Sequence, residues 1–309
     1  MPSTWNITKK LAKVVVKEVI KEVDAKSRQE RSKHPVVGSN RNPSCLCHNH
    51  GDLILPNPWP IPTKGLGPWN VVRQRKHILA VVTADVEDAS RSKVGQPSLV
   101  IQYASGRAGS SSGFCFHAAP KHCCPAKVIE FSYNVYFPDS FQWVRGGKLP
   151  GIYIGSPGAT GGNWEQNSGS VRVVWQRRGV ACLYVYIPTQ ISPDQTKEGA
   201  IDIQHDAFKR HSHTTAKGCH LWHKGPLSFN KGQWNSIKMI VQMNDVGTSN
   251  GRVSLEVNGE REHIDDMIWR SDPQLFIGGL SIQTFFGGHT KECAAPDDVY
   301  TKFQDFTIS

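Results

Sequence analysis

Two short runs near the middle of the chain, SVRVVWQ and LYVYI, carry residue types suited to chemistry on an acidic sugar. Side chains alternate across a strand, so Ser170 shares a face with Arg172, and Tyr184 shares one with Tyr186. An Arg-Arg-Gly loop joins the runs, and Gly179 supplies the positive φ that commonly ends a three-residue hairpin loop. This loop length aligns Arg172 with Tyr184 and Ser170 with Tyr186, whereas a two-residue loop would turn the tyrosines to the opposite face.

A guanidinium, a hydroxyl and two phenols on one face match the needs of β-elimination in a uronate chain. The reaction requires the C5 carboxylate to be neutralised, the C5 proton removed and the departing O4 protonated. Arginine presents a planar fork to a carboxylate, and a phenol beside positive charge serves as a base while a second phenol gives a proton. Lys148, in the segment GGKLPG, would add positive charge. Tyrosine and arginine are also ordinary residues on an exposed sheet face, so spacing alone leaves a purely structural role open.

The elements that position these residues are short strands. From about residue 70, alternating or apolar runs such as KVIEFSYNVYF, SIKMIVQMN and RVSLEVNGE are separated by Gly, Pro, Asn and Ser. Many short strands without long helices predict an all-β fold, an antiparallel β-sandwich of the jelly-roll type, over residues 70–309. A glycoside hydrolase is disfavoured because it needs two placed carboxylates, and residues 146–188 contain only Glu165.

The first 69 residues read differently. Residues 1–33 predict a basic amphipathic N-terminal arm of helical form, and residues 34–69, with seven of the 19 prolines, predict a linker or covering segment. The net charge is +10, of which +6 falls in residues 1–50. A basic balance suggests nucleic acid or an anionic polymer, but its concentration in the arm leaves nucleic acid without other support. No run is long enough to cross a bilayer, and charged residues interrupt any signal peptide.

At these motifs the sequence resembles polysaccharide lyase family 14, which includes molluscan alginate lyases and chlorella-virus lyases that cut glucuronate chains of the host wall. The resemblance rests on GGKLPGIYIG, the S-V-R and Y-V-Y strands and the late FFGG, and spans roughly residues 75–309. It implies a jelly roll with its cleft on one concave sheet. The long N-terminal region is more similar to the viral members.

Carried over residue by residue, the resemblance implies a catalytic set. Its members are Lys148, Ser170, Arg172, Tyr184 and Tyr186. Arg172 and Lys148 are expected to bind the carboxylate and the two tyrosines to act as base and acid, although a lysine base with a tyrosine acid is also chemically possible. Trp175, by stacking on a sugar, and His213, at the cleft, are further candidates for substrate binding.

The predicted function is therefore cleavage of glucuronate-type or alginate-type chains by a monomeric lyase without a cofactor or metal. We expect it to act, virion-associated or released, on an extracellular algal cell wall, with no nucleic-acid or membrane partner. The alternative is a non-catalytic carbohydrate-binding module on the same fold. Cys45, Cys47, His48 and His50 are zinc-compatible, but they lack the usual spacing and a second distant pair.

Overall fold

The computed structural model describes part of the chain, and residues 1–33 and 34–68 lie outside that part. The described residues are 69–74, 80–84, 97–110, 112–120, 124–159, 167–188, 204, 206–214, 220–223, 225 and 227–309. Among them, no helix has the length and apolar character needed to cross a membrane.

The described residues form fifteen strands and one short α-helix. In chain order the elements are β1 (Val71–Gln74), β2 (Ala80–Ala84), β3 (Pro97–Tyr103), β4 (Phe114–Ala118), β5 (Val128–Phe137), β6 (Gly147–Gly155), β7 (Ser168–Trp175), β8 (Ala181–Tyr186), α1 (Asp206–His211), β9 (Ser212–Thr214), β10 (His220–Trp222), β11 (Gln233–Gln242), β12 (Gly251–Val257), β13 (Glu260–Met267), β14 (Ile277–Phe286) and β15 (Val299–Ile308).

The strands form two sheets whose neighbouring strands are all antiparallel. One sheet has the order β1-β4-β14-β6-β7-β8-β10-β9 and the other β13-β12-β11-β5-β15-β3-β2. Buried apolar side chains from both sheets make one core between them. The predicted all-β antiparallel sandwich is therefore confirmed for the described part of the chain.

The alternation seen in the sequence accounts for the second sheet. Strands β11 and β12 pair in register, and their inward residues, among them Ile237 and Leu255, are buried. Along β5 buried and half-buried residues alternate for almost the whole strand, as expected for a strand with one face on the core and one toward solvent.

The first sheet differs because its central strands are buried on both faces. Every residue of β7 is buried, and so are nearly all residues of β6 and β14. The face turned away from the core includes polar side chains on these strands, such as Lys148, Arg172 and Gln283. Buried polar groups need partners, so this outer face is where an ordered polar site is expected.

Aromatic side chains dominate the core beneath that face. Trp175 is fully buried and its ring packs against Phe137, Phe141 and Phe286. Trp69, at the very end of the predicted Pro-rich segment, is also buried in this core.

Candidate active site

The hairpin of β7 and β8 has the predicted register. Ser170 is aligned with Tyr186, and Arg172 with Tyr184. The N–H of the residue before the Arg-Arg-Gly loop donates to the carbonyl of the residue after it over 2.7 Å, so the loop contains three residues. Gly179 has a φ of 79°, as the sequence required. Ser170, Arg172, Tyr184 and Tyr186 therefore stand side by side on the outer face of the sheet.

One feature of that loop carried no signal in the sequence. Arg178, before the glycine, also has a positive φ of 63°. A side chain at Gly179 would collide with its surroundings, because a Cβ there would lie 2.8 Å from the carbonyl oxygen of Phe229. Gly179 thus serves both the turn and the close packing of the loop.

Two cations lie against the tyrosine pair. The Nζ of Lys148 is 4.5 Å from the ring centre of Tyr184. The Cζ of Arg172 is 5.5 Å from the ring centre of Tyr184 and 5.2 Å from that of Tyr186. The two phenol oxygens are 3.4 Å apart. Positive charge this close to a phenol stabilises its ionised form, so the geometry suits proton transfer.

The members of this group differ in access to solvent. Tyr184 is half-buried, and 8% of the surface of Lys148 is exposed to solvent. Arg172 and Tyr186 are fully buried. In this structure a substrate would therefore meet Tyr184 and Lys148 first, with the guanidinium beneath the rings rather than at the surface.

Lys148 reaches the tyrosines from the neighbouring strand. It is aligned with Val174 on β7 and with Phe285 on β14, and the pairing of β6 is irregular immediately after it. Its Nζ lies 5.4 Å from the ring centre of Phe285. The FFGG motif therefore contributes an aromatic wall beside the lysine.

Residues 156–159, which directly follow β6, cover the buried part of the group. The hydroxyl of Ser170 donates to the carbonyl of Ala159 over 2.9 Å, and Arg172 Nη2 donates to the same oxygen over 3.4 Å. Ala159 packs on Tyr186. Ser168 secures the same loop, because its hydroxyl accepts from the Ala159 N–H over 2.8 Å. Ser170 thus holds the cover of the site in this structure.

Two residues that the sequence did not single out extend the site across the sheet. Arg172 Nη1 donates to Gln283 Oε1 on β14 over 2.7 Å, and Gln283 Nε2 is 3.1 Å from Nε2 of His117 on β4. His117 has a signal in the sequence, as a polar residue in the otherwise apolar strand β4, whereas Gln283 shares β14 with Ser281 and Thr284. Neither residue could be connected with Arg172 without the order of the strands.

A third tyrosine stands on the same face. Tyr153 is aligned with Ser170, and its ring lies over Gly278 and Gly279, where a Cβ would come within 3 Å of it. The pKa of Tyr153 lies well above the ordinary value of a phenol, mainly because the side chain is buried. The phenol of Tyr153 is therefore a poor base.

The structure corrects one predicted binding residue and places another only in part. Trp175 lies three positions after Arg172, so it faces the core, where it is fully buried and its Nε1 donates to the carbonyl of Trp143 over 3.2 Å. The prediction that it stacks on a sugar is wrong for that reason. His213 lies on β9, where the backbone register aligns it with Leu221, which is in turn aligned with Tyr184.

No metal site was predicted in this region. Among the residues that the structure describes, no group of three or more His, Cys, Asp and Glu side chains is placed to hold a metal ion. The zinc-compatible residues of the segment CLCHNH, at 45–50, lie outside the described residues.

Comparison with known families decides the relationship. The sequence profile of polysaccharide lyase 14 matches residues 91–306, about 70% of the chain. The chain belongs to that family. The family predicted from the motifs is therefore confirmed.

Individual relatives agree with this placement. The chain is 23% identical over 215 residues to exolysin of Paramecium bursaria Chlorella virus 1, a match that covers 62% of this chain and 30% of exolysin. The chain thus spans about a third of the length of that relative.

Solved structures share the fold. A marine PL-14 alginate lyase from Aplysia kurodai is 26% identical, with a TM-score of 0.62, covering 75% of this chain and 87% of its own. Alginate lyase vAL-1 from Chlorella virus is 23% identical, also with a TM-score of 0.62, covering 80% of this chain and 95% of its own.

Proposed function

We propose that this protein cleaves uronate-containing polysaccharides by β-elimination. The observation that carries the proposal is the half-buried phenol of Tyr184, which has Lys148 Nζ and the Arg172 guanidinium against its ring and a second phenol 3.4 Å from its oxygen. A binding module has no need for a phenol with two cations against its ring, whereas that environment suits a proton-transfer group.

The reaction can be written on these residues. With the C5 carboxylate beside Lys148, its negative charge is offset and the C5 proton becomes more acidic. The Tyr184 phenolate takes that proton, the C5 electron pair forms the C4–C5 double bond, and the bond from C4 to O4 breaks. The phenol so formed protonates O4 when both groups leave from the same face. The products are an unsaturated uronate end and a chain with a new hydroxyl.

The remaining residues support Tyr184 from below. Arg172 adds positive charge from beneath both rings, and a charge acts more strongly in a buried site than in water. Tyr186, fully buried, assists through its hydroxyl. Ser170 holds the loop over them through Ala159. Exposure thus favours Tyr184 over Tyr186 as the group that meets the substrate.

The relatives support a proposal for the substrate class. Two structures of this fold are alginate lyases by description, and one of them comes from a Chlorella virus, as exolysin does. We therefore propose a glucuronate or alginate chain as the substrate and an algal cell wall, outside the cell, as the place of action. We further propose that the protein acts as a monomer.

Product analysis tests the proposal against the binding-module alternative. The full chain is incubated with polyglucuronate, polymannuronate and polyguluronate, and unsaturated ends are followed by their ultraviolet absorbance. Arg172→Ala and Tyr184→Phe are the matched variants. Absorbance that rises with the wild type and not with the variants supports a lyase. Binding of a polymer without any rise in absorbance would establish the module instead.

A further inference from the structure

A chain of three buried side chains crosses four strands of the outer face. Arg172 on β7 donates to Gln283 on β14 over 2.7 Å, and the Gln283 amide is 3.1 Å from the His117 ring on β4. Their exposed fractions are 0%, 1% and 4%. Each contact is therefore made away from water, where a lost partner costs about 1–3 kcal/mol, and more for a charged group.

A glycine opens the path that Arg172 follows. Gly151 on β6 lies between β7 and β14 and is aligned with Arg172. A Cβ on Gly151 would lie 3.0 Å from Cγ of Arg172 and 2.6 Å from its Cα. Because this position has no side chain, the guanidinium can extend over β6 and meet Gln283 on the next strand.

The chemistry of the donors fixes the orientation of every group in the chain. A guanidinium only donates, so the oxygen of the Gln283 amide must face Arg172. The amide nitrogen, which also only donates, then faces His117, whose Nε2 must accept. The network thus assigns His117 as a neutral ring with its proton on Nδ1. An amide turned by half a rotation would direct its NH2 group at the guanidinium.

We propose that His117 and Gln283 are positioning residues for the lyase reaction. Gln283 holds the guanidinium of Arg172 beneath the Tyr184–Tyr186 pair, and His117 selects the amide orientation that lets Gln283 do so. This inference rests on the proposed function. Neither residue contacts the substrate. His117 acts through Gln283 and Gln283 acts through Arg172, and together they set the position of the positive charge relative to the Tyr184 phenol.

The ring of Tyr153 keeps the imidazole in place. The two rings meet edge to face, with centres 5.8 Å apart. Tyr153 in turn lies over Gly278 and Gly279, so the wall that supports His117 is itself tightly packed. The orientation of the relay is therefore built into the sheet before any substrate arrives.

A matched pair of substitutions at position 117 tests the relay. Glutamine and methionine have similar length and volume, but only His117→Gln places an acceptor near the position of Nε2. We expect His117→Met to lower kcat about 10- to 100-fold, the size of effect that a small misplacement of a catalytic group produces. His117→Gln should recover most of kcat. KM should change less than kcat. His117→Met should melt at a somewhat lower temperature than His117→Gln, because it removes a buried acceptor of the Gln283 amide.

A second variant guards against misfolding of the first. Should His117→Met not fold, His117→Asn replaces it, because its side-chain oxygen lies near the position of Nδ1 and cannot reach Gln283. It should then behave as His117→Met does, while His117→Gln stays active.

A double substitution tests whether His117 acts through Gln283. In a Gln283→Met background, His117→Met should lower kcat little further, since residues in series are not additive. If the kcat losses of the two single variants multiply in the double variant, the relay is overturned. It is also overturned if His117→Met and His117→Gln lose kcat equally, or if kcat is unchanged in both. A wild-type protein that cleaves no polyuronate would fail at the first step, and would overturn the proposed function together with this inference.

Discussion

Tyr184 and Tyr186 are equivalent in type and neighbours in space, and yet the structure gives them unequal roles. Tyr184→Phe and Tyr186→Phe each remove one oxygen and keep the ring, so the contacts of the rings with Lys148 and Arg172 survive in both. Both lose the same 3.4 Å contact between hydroxyls. A net hydrogen bond contributes about 0.5–1.5 kcal/mol to stability, so the two variants should unfold at nearly the same temperature.

The expected effects on activity differ because only Tyr184 reaches the surface of the site. A group that transfers the reacting proton contributes about 10²- to 10⁴-fold, and Tyr184 is proposed to do so twice, at C5 and at O4. We expect Tyr184→Phe to lower kcat at least about 10³-fold, or roughly 4 kcal/mol of activation free energy. For Tyr186→Phe, which acts through its neighbour, about tenfold is expected.

Initial rates of formation of unsaturated ends, measured at saturating polyuronate beside thermal melts, decide the matter. The reasoning would be refuted by the reverse order of the two variants, with Tyr186→Phe inactive and Tyr184→Phe retaining most of its activity. Equal losses would also contradict it, because they would give the buried phenol the same part in the reaction as the accessible one.

Three other substitutions test separate parts of the structure. Lys148→Met should lower kcat about 10²-fold, while Lys148→Arg should keep most of the activity, because the site requires positive charge at this position. Steady-state rates of the two variants check this. If Lys148→Arg is as inactive as Lys148→Met, the lysine is instead the base. Trp175→Ala should destabilise the fold by about 3–5 kcal/mol in urea unfolding, as expected for a core indole, with KM unchanged in the folded fraction. Burial, with the negative charge of Glu262, raises the pKa of the Cys182 thiol from 9.0 to about 12, so between these pH values the unfolded chain releases a proton that the folded chain keeps. Stability should therefore fall as pH rises through this range, and Cys182→Ala should flatten that slope in urea unfolding followed by fluorescence.

What the sequence could predict was local. The alignment of Arg172 with Tyr184 needed only strand alternation and the length of one loop, and both are properties of about twenty consecutive residues. The same alternation, applied to Trp175, already places it on the face opposite Arg172. Its assignment to the sugar failed because residue type was given more weight than position.

What the sequence could not predict was the partner of Arg172. Gln283 follows Arg172 by 111 positions, and His117 precedes Gln283 by 166 positions. Their meeting depends on the order β4-β14-β6-β7, which brings late and early strands together beside the central hairpin. No periodicity within one segment contains that order.

Burial of Arg172 changes how its charge is expected to act. The sequence suggests a guanidinium that grips the substrate carboxylate, but this one is fully buried, with Ala159 above it and Gln283 beside it. Lys148, whose Nζ is 4.5 Å from the centre of the Tyr184 ring, is the less deeply buried of the two cations. One cation is therefore placed to meet the carboxylate and the other to favour ionisation of the phenol. The effect of Arg172 on the phenol depends on distance and not on contact with the substrate. A fixed orientation of Arg172 therefore matters more than its exposure, and the relay from His117 through Gln283 provides that orientation.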